Sequence, residues 1–372
     1  MTKIRVFETF AGIGAQATAF RRTKISYEVV ATSEWYIDAL LAYDAINNFD
    51  KKIKIPSYSS QLNYLKKFTF SKDAMNPYKD ISKLTKEEIK QLYIANVRNK
   101  NLGSITEIKA FEIPDHDLLT YSFPCQDLST GGKTLGMSKG SGTRSGLLWE
   151  IERLLNELSE QGRLPKYLLM ENVKAILAPS NSLDFGIWKS FLESIGYKNY
   201  IYVLNGVDFN VPQDRKRTFM ISSLNSELNL NIDRQKRPFP KSKVKEFLKL
   251  DYLDQIYKEE ADEAQLNRTP SRELMWGINK RDLDNMSHFN TITTNMDRQN
   301  NAGMILYSGI KGNSYRMPTA REAFMMMGFT EEEYERVKEL GFSYRKTIKL
   351  AGNSIIVTIL EAIFKEMFMD AK

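Results

Sequence analysis

Apolar positions along this chain keep two rhythms. Up to about residue 225, short apolar runs alternate with stretches at helical spacing, the pattern of an α/β sheet whose strands are joined by helices. Ile4-Arg5-Val6-Phe7-Glu8-Thr9-Phe10 opens the series as a buried strand, and the segment from Ala11 to Ala17 turns from it into a helix. The runs 27–33, 118–121 and 167–170 repeat the buried-strand signature, and 103–108 is expected as a further short strand. Residues 199–204 and 218–221 read as a closing hairpin, and 147–155 as an amphipathic helix. Between 50 and 102 the chain is polar and lysine-rich, with a helical stretch at 86–93. It reads as a helical insertion with a solvated surface. From Glu227 to about Tyr315 the rhythm is lost. That region opens with the basic stretch 233–238, becomes asparagine-rich near 290–295, and is expected to form a second domain of irregular strands and loops. Order returns where Pro318 and Thr319 open a helix, and the chain closes on 349–356 and a last helix.

Composition narrows the function classes. A formal net charge of +7 favours a polyanionic partner, nucleic acid first. A single cysteine excludes an internal disulfide and a cysteine-based zinc site, and two histidines, His116 and His288, argue against a histidine metal centre. No metal is therefore expected. There is no charged segment leading into an apolar one near Met1, and no apolar run approaching about 18 residues, so the expected location is the cytoplasm.

Chemistry concentrates at the ends of the expected strands. Cys125 lies just past the run 118–121, where α/β proteins hold ligands and where a nucleophile would stand; a small packed hydrophobe is the other reading. Pro124 fixes the backbone beside the thiol, and the glycines at 131, 132, 136, 140 and 142 suit a loop that closes over a substrate. Gly12 and Gly14 let backbone N–H groups approach a ligand. Glu34 follows about 20 residues later, placed to accept hydrogen bonds from ribose hydroxyls, with Trp35 beside it to stack on an adenine. These features leave NAD and S-adenosylmethionine equally open. Glu171, just after the run 167–170, falls on the same sheet edge as Cys125, where burial would suit it to hold a proton. Arg215 and Arg217 are two apart and share a face if extended, as paired phosphate or carbonyl contacts would.

Taken in order, Phe10-x-Gly12-x-Gly14, Glu34-Trp35, Phe123-Pro124-Cys125-Gln126, Glu171-Asn172-Val173, Gln213-x-Arg215-x-Arg217, Arg321-Glu322 and Gly352-Asn353-Ser354 resemble the bacterial DNA (cytosine-5) methyltransferases of restriction–modification systems. The resemblance covers about 4–223 and 315 to the end, and it selects S-adenosylmethionine over NAD. It implies a doubly wound, mostly parallel α/β sheet of the S-adenosylmethionine-dependent methyltransferase type, with a second, smaller, irregular target-recognition domain. Residues 1–223 and 315–372 would form the catalytic domain, with the Asn353 helix returning beside the Gly12 turn, and 224–314 the recognition domain.

The resemblance also implies roles. Cys125 would add to C6 of a cytosine flipped from duplex DNA, Glu171 would hold N3 and the 4-amino group, Arg217 would bond O2, and Arg215 would support the loop and backbone. Cofactor contacts by position are Phe10, Gly12, Gly14, Glu34, Trp35, Ile105, Pro124, Asn353 and Ser354. DNA contacts are Gln126, Ser129 and Thr130 in the loop and Thr291 in the motif Thr291-Ile292-Thr293. Arg298 and Gln299, with Asn300 after them, are typed to read base edges. One departure stands out: Ser104 occupies the place where the family carries an Asp for the adenine amino group. The segment 122–152 is similar to that of enzymes methylating CpG, but it is the catalytic loop and not the reader, so the recognition sequence stays open. A tRNA cytosine-5 methyltransferase shares the catalytic motifs, and a catalytically silent DNA-binding regulator on the same fold is a further alternative. The long recognition region with its basic entry favours double-stranded DNA. The expected protein is a monomer, off the membrane, with a cognate restriction endonuclease as candidate partner.

Overall fold

The computed structural model describes residues 3–124, 128, 137–140, 144–240, 243–265, 267, 269–278, 286–294, 296, 305–311 and 315–369. By packing, the chain forms two units. One comprises Met1–Leu204, Lys216–Leu230 and Phe364–Lys372, and the other Asn205–Arg215 and Asn231–Ile363.

In the first unit, strand β1 (Ile4–Thr9) ends in a turn whose residues Phe10, Gly12 and Gly14 have φ of 51°, 55° and 79°. Helix α1 (Ala15–Thr23) starts at Gly14 and leads to β2 (Tyr27–Ser33). The chain continues through α2 (Ile37–Asn47), α3 (Tyr58–Leu65), α4 (Lys86–Arg98), β3 (Leu118–Tyr121), α5 (Leu148–Glu160), β4 (Tyr167–Val173), α6 (Ser182–Ser194) and β5 (Tyr197–Asn205). After β6 (Gln213–Asp214), which belongs to the second unit, β7 (Lys216–Leu224) completes the six-stranded sheet, ordered β2-β1-β3-β4-β7-β5. β1 is parallel to β2 and β3, and β3 to β4, whereas β7 runs antiparallel to β4. The C-terminal ends of β1 to β4 therefore lie on one sheet edge, and antiparallel pairing of Val173 with Arg217 brings the start of β7 there too. On one face Leu119, Tyr121, Leu168 and Met170 pack with Ile151 and Leu155 of α5 and the fully buried Trp188 of α6.

Segment 103–108 is not a strand. Gly103 sits at φ 84°, and the Glu107 N–H donates to the Ser104 carbonyl, closing a turn. The 50–102 insertion owns a small core: Ile89, Leu92 and Ala95 of α4 meet Ile37, Leu40 and Leu65. α4 begins in a capping box, with Thr85 and Glu88 satisfying each other's backbone N–H groups.

The second unit is built from shorter pieces: α7 (Val244–Phe247), α8 (Gln255–Glu263), α9 (Pro270–Ile278), β8 (Phe289–Asn290), β9 (Ile305–Leu306), β10 (Tyr315–Arg316), α10 (Ala320–Met326), α11 (Glu331–Lys338), α12 (Tyr344–Asn353) and most of α13 (Val357–Phe368). β6 pairs parallel with β8, and β9 antiparallel with β10. Two-residue pairings hold little by themselves, and buried ion pairs fix the pieces. Arg316 makes a two-pronged bond to Glu322 at 2.8 and 2.9 Å with both side chains fully buried, and Arg321 does the same to Glu260 of α8 at 2.8 and 3.0 Å. Removing one partner of such a pair leaves an uncompensated buried charge, at a cost of about 3–5 kcal/mol. By length and composition a window within Tyr344–Phe368 could cross a membrane, but 78% of it is buried inside the fold, as in a core helix.

Glu8 is the odd residue of the central strands. It is fully buried in β1, and the Tyr43 hydroxyl of α2 lies beside it but off the geometry of a good hydrogen bond. Burial pushes its carboxyl up to about 8 from 4.5. The native state thus holds a proton that the unfolded chain releases, so the contribution is complete below about pH 4.5 and is lost as pH rises towards 8. Urea unfolding between pH 5 and 8 should show Glu8→Gln gaining on the wild type by a few kcal/mol as pH rises. Parallel pH profiles for the two proteins would contradict a protonated Glu8.

Candidate active site

The cofactor candidates on β1 and β2 meet at the shared sheet edge. Glu34 holds the turn: one carboxylate oxygen accepts the Gly12 N–H at 2.9 Å, and the other accepts the N–H groups of Trp35 and Tyr36 at 2.9 and 2.8 Å. Burial raises the Glu34 carboxyl while these three donors pull it back. A Cβ on Gly14 would collide with Asn47 and Tyr43, and its left-handed φ excludes most side chains as well. A Cβ on Gly12 would meet only the Phe10 carbonyl, at 3.9 Å, so the turn has open space above it. Phe10 packs beside the cluster containing Ile105 and Phe123, and Ile105 is buried. The Trp35 carbonyl accepts the Ser71 N–H, fixing its backbone. Ser104 shares a hydrogen bond with Thr106 at 2.9 Å. A nucleoside fits this donor set: a carboxylate has about four acceptor sites, and three N–H donors leave capacity for a ribose hydroxyl.

The catalytic candidates of the first unit lie on the same edge. Glu171 is buried near the end of β4, and the Arg217 Nε stands 3.4 Å from its carboxylate, with both side chains mostly covered. Neighbouring Asn172 donates to the Phe123 carbonyl at 3.1 Å, and the Ser145 hydroxyl to that of Pro124 at 2.8 Å, so the Phe-Pro segment is tied from two sides. The Trp149 indole N–H bonds the Met137 carbonyl on the far side of the loop. Cys125, Gln126, Ser129 and Thr130 lie outside the described residues, as do Arg298, Gln299 and Asn300.

Arg215 falls in the second unit, apart from Arg217. It is buried, and its guanidinium donates to the carbonyls of Ile292, Gly352 and Ser354 at 2.9–3.0 Å. It faces protein carbonyls, not phosphate. Gln213 works with it: its amide donates to the Met326 carbonyl and accepts the Ile292 N–H. Thr291 donates to the Asp214 carbonyl at 2.9 Å. In this unit Ser354 is buried and Asn353 exposed. Asn172 and Gln213 stand in the motifs without a role of their own, and Ser145 carries no sequence signal; all three bond backbone.

A mostly parallel α/β sheet with a glycine turn after its first strand and a Glu–Arg pair on the same edge is the fold of the S-adenosylmethionine-dependent methyltransferases. Residues 80–369 match the family described as C-5 cytosine-specific DNA methylase, and the chain belongs to that family. It is a DNA (cytosine-5) methyltransferase. Similar relatives are the orphan methyltransferase M.SssI of Spiroplasma monobiae, 39% identical with 98% of this chain and 97% of the relative covered, and the Type II methyltransferase M2.ScrFI of Lactococcus lactis subsp. cremoris, 35% identical with 98% and 99% covered. The crystal structure of the S. pombe Dnmt2 methyltransferase shares the fold at 18% identity, with a TM-score of 0.61 over 99% of both chains.

Gly352 carries a sharp prediction. A Cβ there would stand 2.7–2.9 Å from backbone atoms of Thr293 and Thr294, which cannot swing aside as a side chain can. Gly352→Ala should cost about 1–3 kcal/mol through this overpacking, read as a lowered melting temperature. An unchanged melting curve would mean the two segments do not touch.

Proposed function

We propose that this chain methylates C5 of a cytosine within a specific sequence of double-stranded DNA, with S-adenosylmethionine as methyl donor. The observation that carries the reading is the covered Glu171–Arg217 pair beside the tied Phe123-Pro124 segment that precedes the lone cysteine. Phe10, Gly12, Gly14, Glu34, Trp35, Ile105 and Pro124 of the first unit hold the cofactor, and Asn353 and Ser354 are cofactor candidates carried over from the family motif. When bound, S-adenosylmethionine supplies an electrophilic methyl group.

The chain's own residues prepare the base. The Cys125 thiolate gives its lone pair to C6 of the flipped cytosine; the C5–C6 π electrons move to C5 as N3 takes a proton from Glu171. Arg217 holds O2 and keeps Glu171 aimed at N3. After C5 has gained the methyl group, a base removes the C5 proton. That electron pair restores the C5–C6 double bond and expels the Cys125 thiolate, while N3 gives its proton back to Glu171. Arg215 and Gln213 act at a remove, holding the backbone of the Thr291-Ile292-Thr293 motif.

The segment 224–314 is proposed as the target-recognition domain, with Thr291 contacting the DNA backbone and Arg298 and Gln299 reading bases, while Gln126, Ser129 and Thr130 follow the gap left by the flipped cytosine. The two relatives described above are named as an orphan and as a Type II enzyme. The proposed setting is a restriction–modification system in the cytoplasm, with the enzyme a monomer and a cognate endonuclease as candidate partner.

Methyl transfer from labelled S-adenosylmethionine to unmethylated duplex DNA, and in parallel to bulk tRNA, tests the reading, with bisulfite mapping of the modified positions. Label on DNA at one recurring sequence, abolished by Cys125→Ser, is expected. Glu171→Gln should lose about 100- to 10,000-fold in kcat, the usual range for a positioned proton donor. Label on tRNA alone would move the substrate to RNA.

A further inference from the structure

The end of α4 reaches the cofactor edge in a way the motifs do not announce. Lys100, at φ 50°, takes the left-handed position after the helix; its N–H bonds the Val97 carbonyl and the Asn101 N–H bonds that of Asn96. This is a Schellman ending, and it sets residues 100–103 along the free edge of β2. There the Thr32 N–H donates to the Lys100 carbonyl, the Leu102 N–H to that of Thr32, and the Ser33 hydroxyl to that of Gly103.

Asn101 is the centre of this contact. Its carboxamide grips the backbone of Glu34 with both ends: the oxygen accepts the Glu34 N–H at 2.9 Å, and the nitrogen donates to the Glu34 carbonyl at 3.0 Å. The same nitrogen donates to the Asn96 side-chain oxygen at 2.7 Å, and the Asn96 nitrogen to the Asn101 carbonyl. Asn96 and Asn101 are buried, with 0% and 2% of their surface exposed, so neither amide can trade these bonds for water. The Glu34 carboxylate, meanwhile, holds Gly12, Trp35 and Tyr36. The backbone that Asn101 grips is thus the backbone whose side chain shapes the cofactor turn.

We propose that Asn101 is a positioning residue for S-adenosylmethionine, acting through Glu34 on the ribose, with Asn96 as its support. The proposal rests on the reading that Glu34 meets the ribose. It makes the 50–102 insertion part of the cofactor site.

Affinities for S-adenosylhomocysteine and for its 2′,3′-dideoxy counterpart, measured by calorimetry on the full chain, test it. The proteins are wild type, Asn101→Ala, Asn101→Asp, Glu34→Gln and the Glu34→Gln/Asn101→Ala double variant, each with its melting curve. Asn101→Asp keeps the shape and the acceptor but loses both donated bonds, and so serves if the alanine variant does not fold. Asn101→Ala should weaken S-adenosylhomocysteine roughly tenfold and leave the dideoxy compound within about twofold. In the double variant it should add nothing to the loss from Glu34→Gln. The KM for S-adenosylmethionine should rise while kcat and DNA affinity hold. Equal loss for both compounds, losses that multiply in the double variant, or full affinity in a folded Asn101 variant would each overturn the proposal. Full affinity in Glu34→Gln would instead sink the reading of Glu34 itself.

Discussion

The Glu34 carboxylate is the constraint on which the first unit's working edge depends. Three backbone N–H groups from two segments converge on it, so the end of β2 and the turn after β1 share one anchor. Parallel pairing alone would leave both segments as free ends, because a strand's last residues have no ladder beyond them. Charge-assisted bonds from N–H to carboxylate are among the stronger polar contacts, and here they are shielded. Gly12 and Gly14 take their positive φ freely, but Phe10 at φ 51° does so at a backbone cost that the anchored turn must hold.

The two units reach order by different physics. In the first, hydrophobic side chains packed on a mostly parallel sheet set the geometry, with Glu8 a buried polar exception in β1. In the second, strands are two residues long, and the buried pairs Arg316–Glu322 and Arg321–Glu260 do what a sheet does elsewhere. Such pairs fix direction better than they add stability. That suits a unit whose backbone must be held at particular points, as Arg215 holds three carbonyls.

Much of the first unit was legible in the chain. The runs beginning at Ile4, Tyr27, Leu118 and Tyr167 are strands, because alternation and apolar runs report burial directly. Segment 103–108 misled, since Ile105 and Ile108 look like strand residues while Gly103 and a local hydrogen bond make a turn; side-chain pattern does not report φ. Arg215 and Arg217 appear equivalent in sequence, yet one faces buried carbonyls and the other a carboxylate, a difference set by partners far along the chain. Asn96 and Asn101 carry no sequence signal for their bonds, because an amide's partners depend wholly on packing. Cys125 and the loop after it were legible only as chemistry.

The aromatic contact between Phe20 and Phe364 has a bearing on how the protein is made. The rings stack at 3.8 Å, and Phe368 meets the edge of Tyr167, so the last helix completes a core begun by the first. A ribosome delivers α1 long before α13, with the whole second unit between them. Until then the nascent sheet carries an uncovered aromatic face, and the cofactor turn sits on an unfinished support. Synthesis would thus withhold the mature edge until α13 has emerged, leaving the growing chain dependent on whatever shields that face in the meantime.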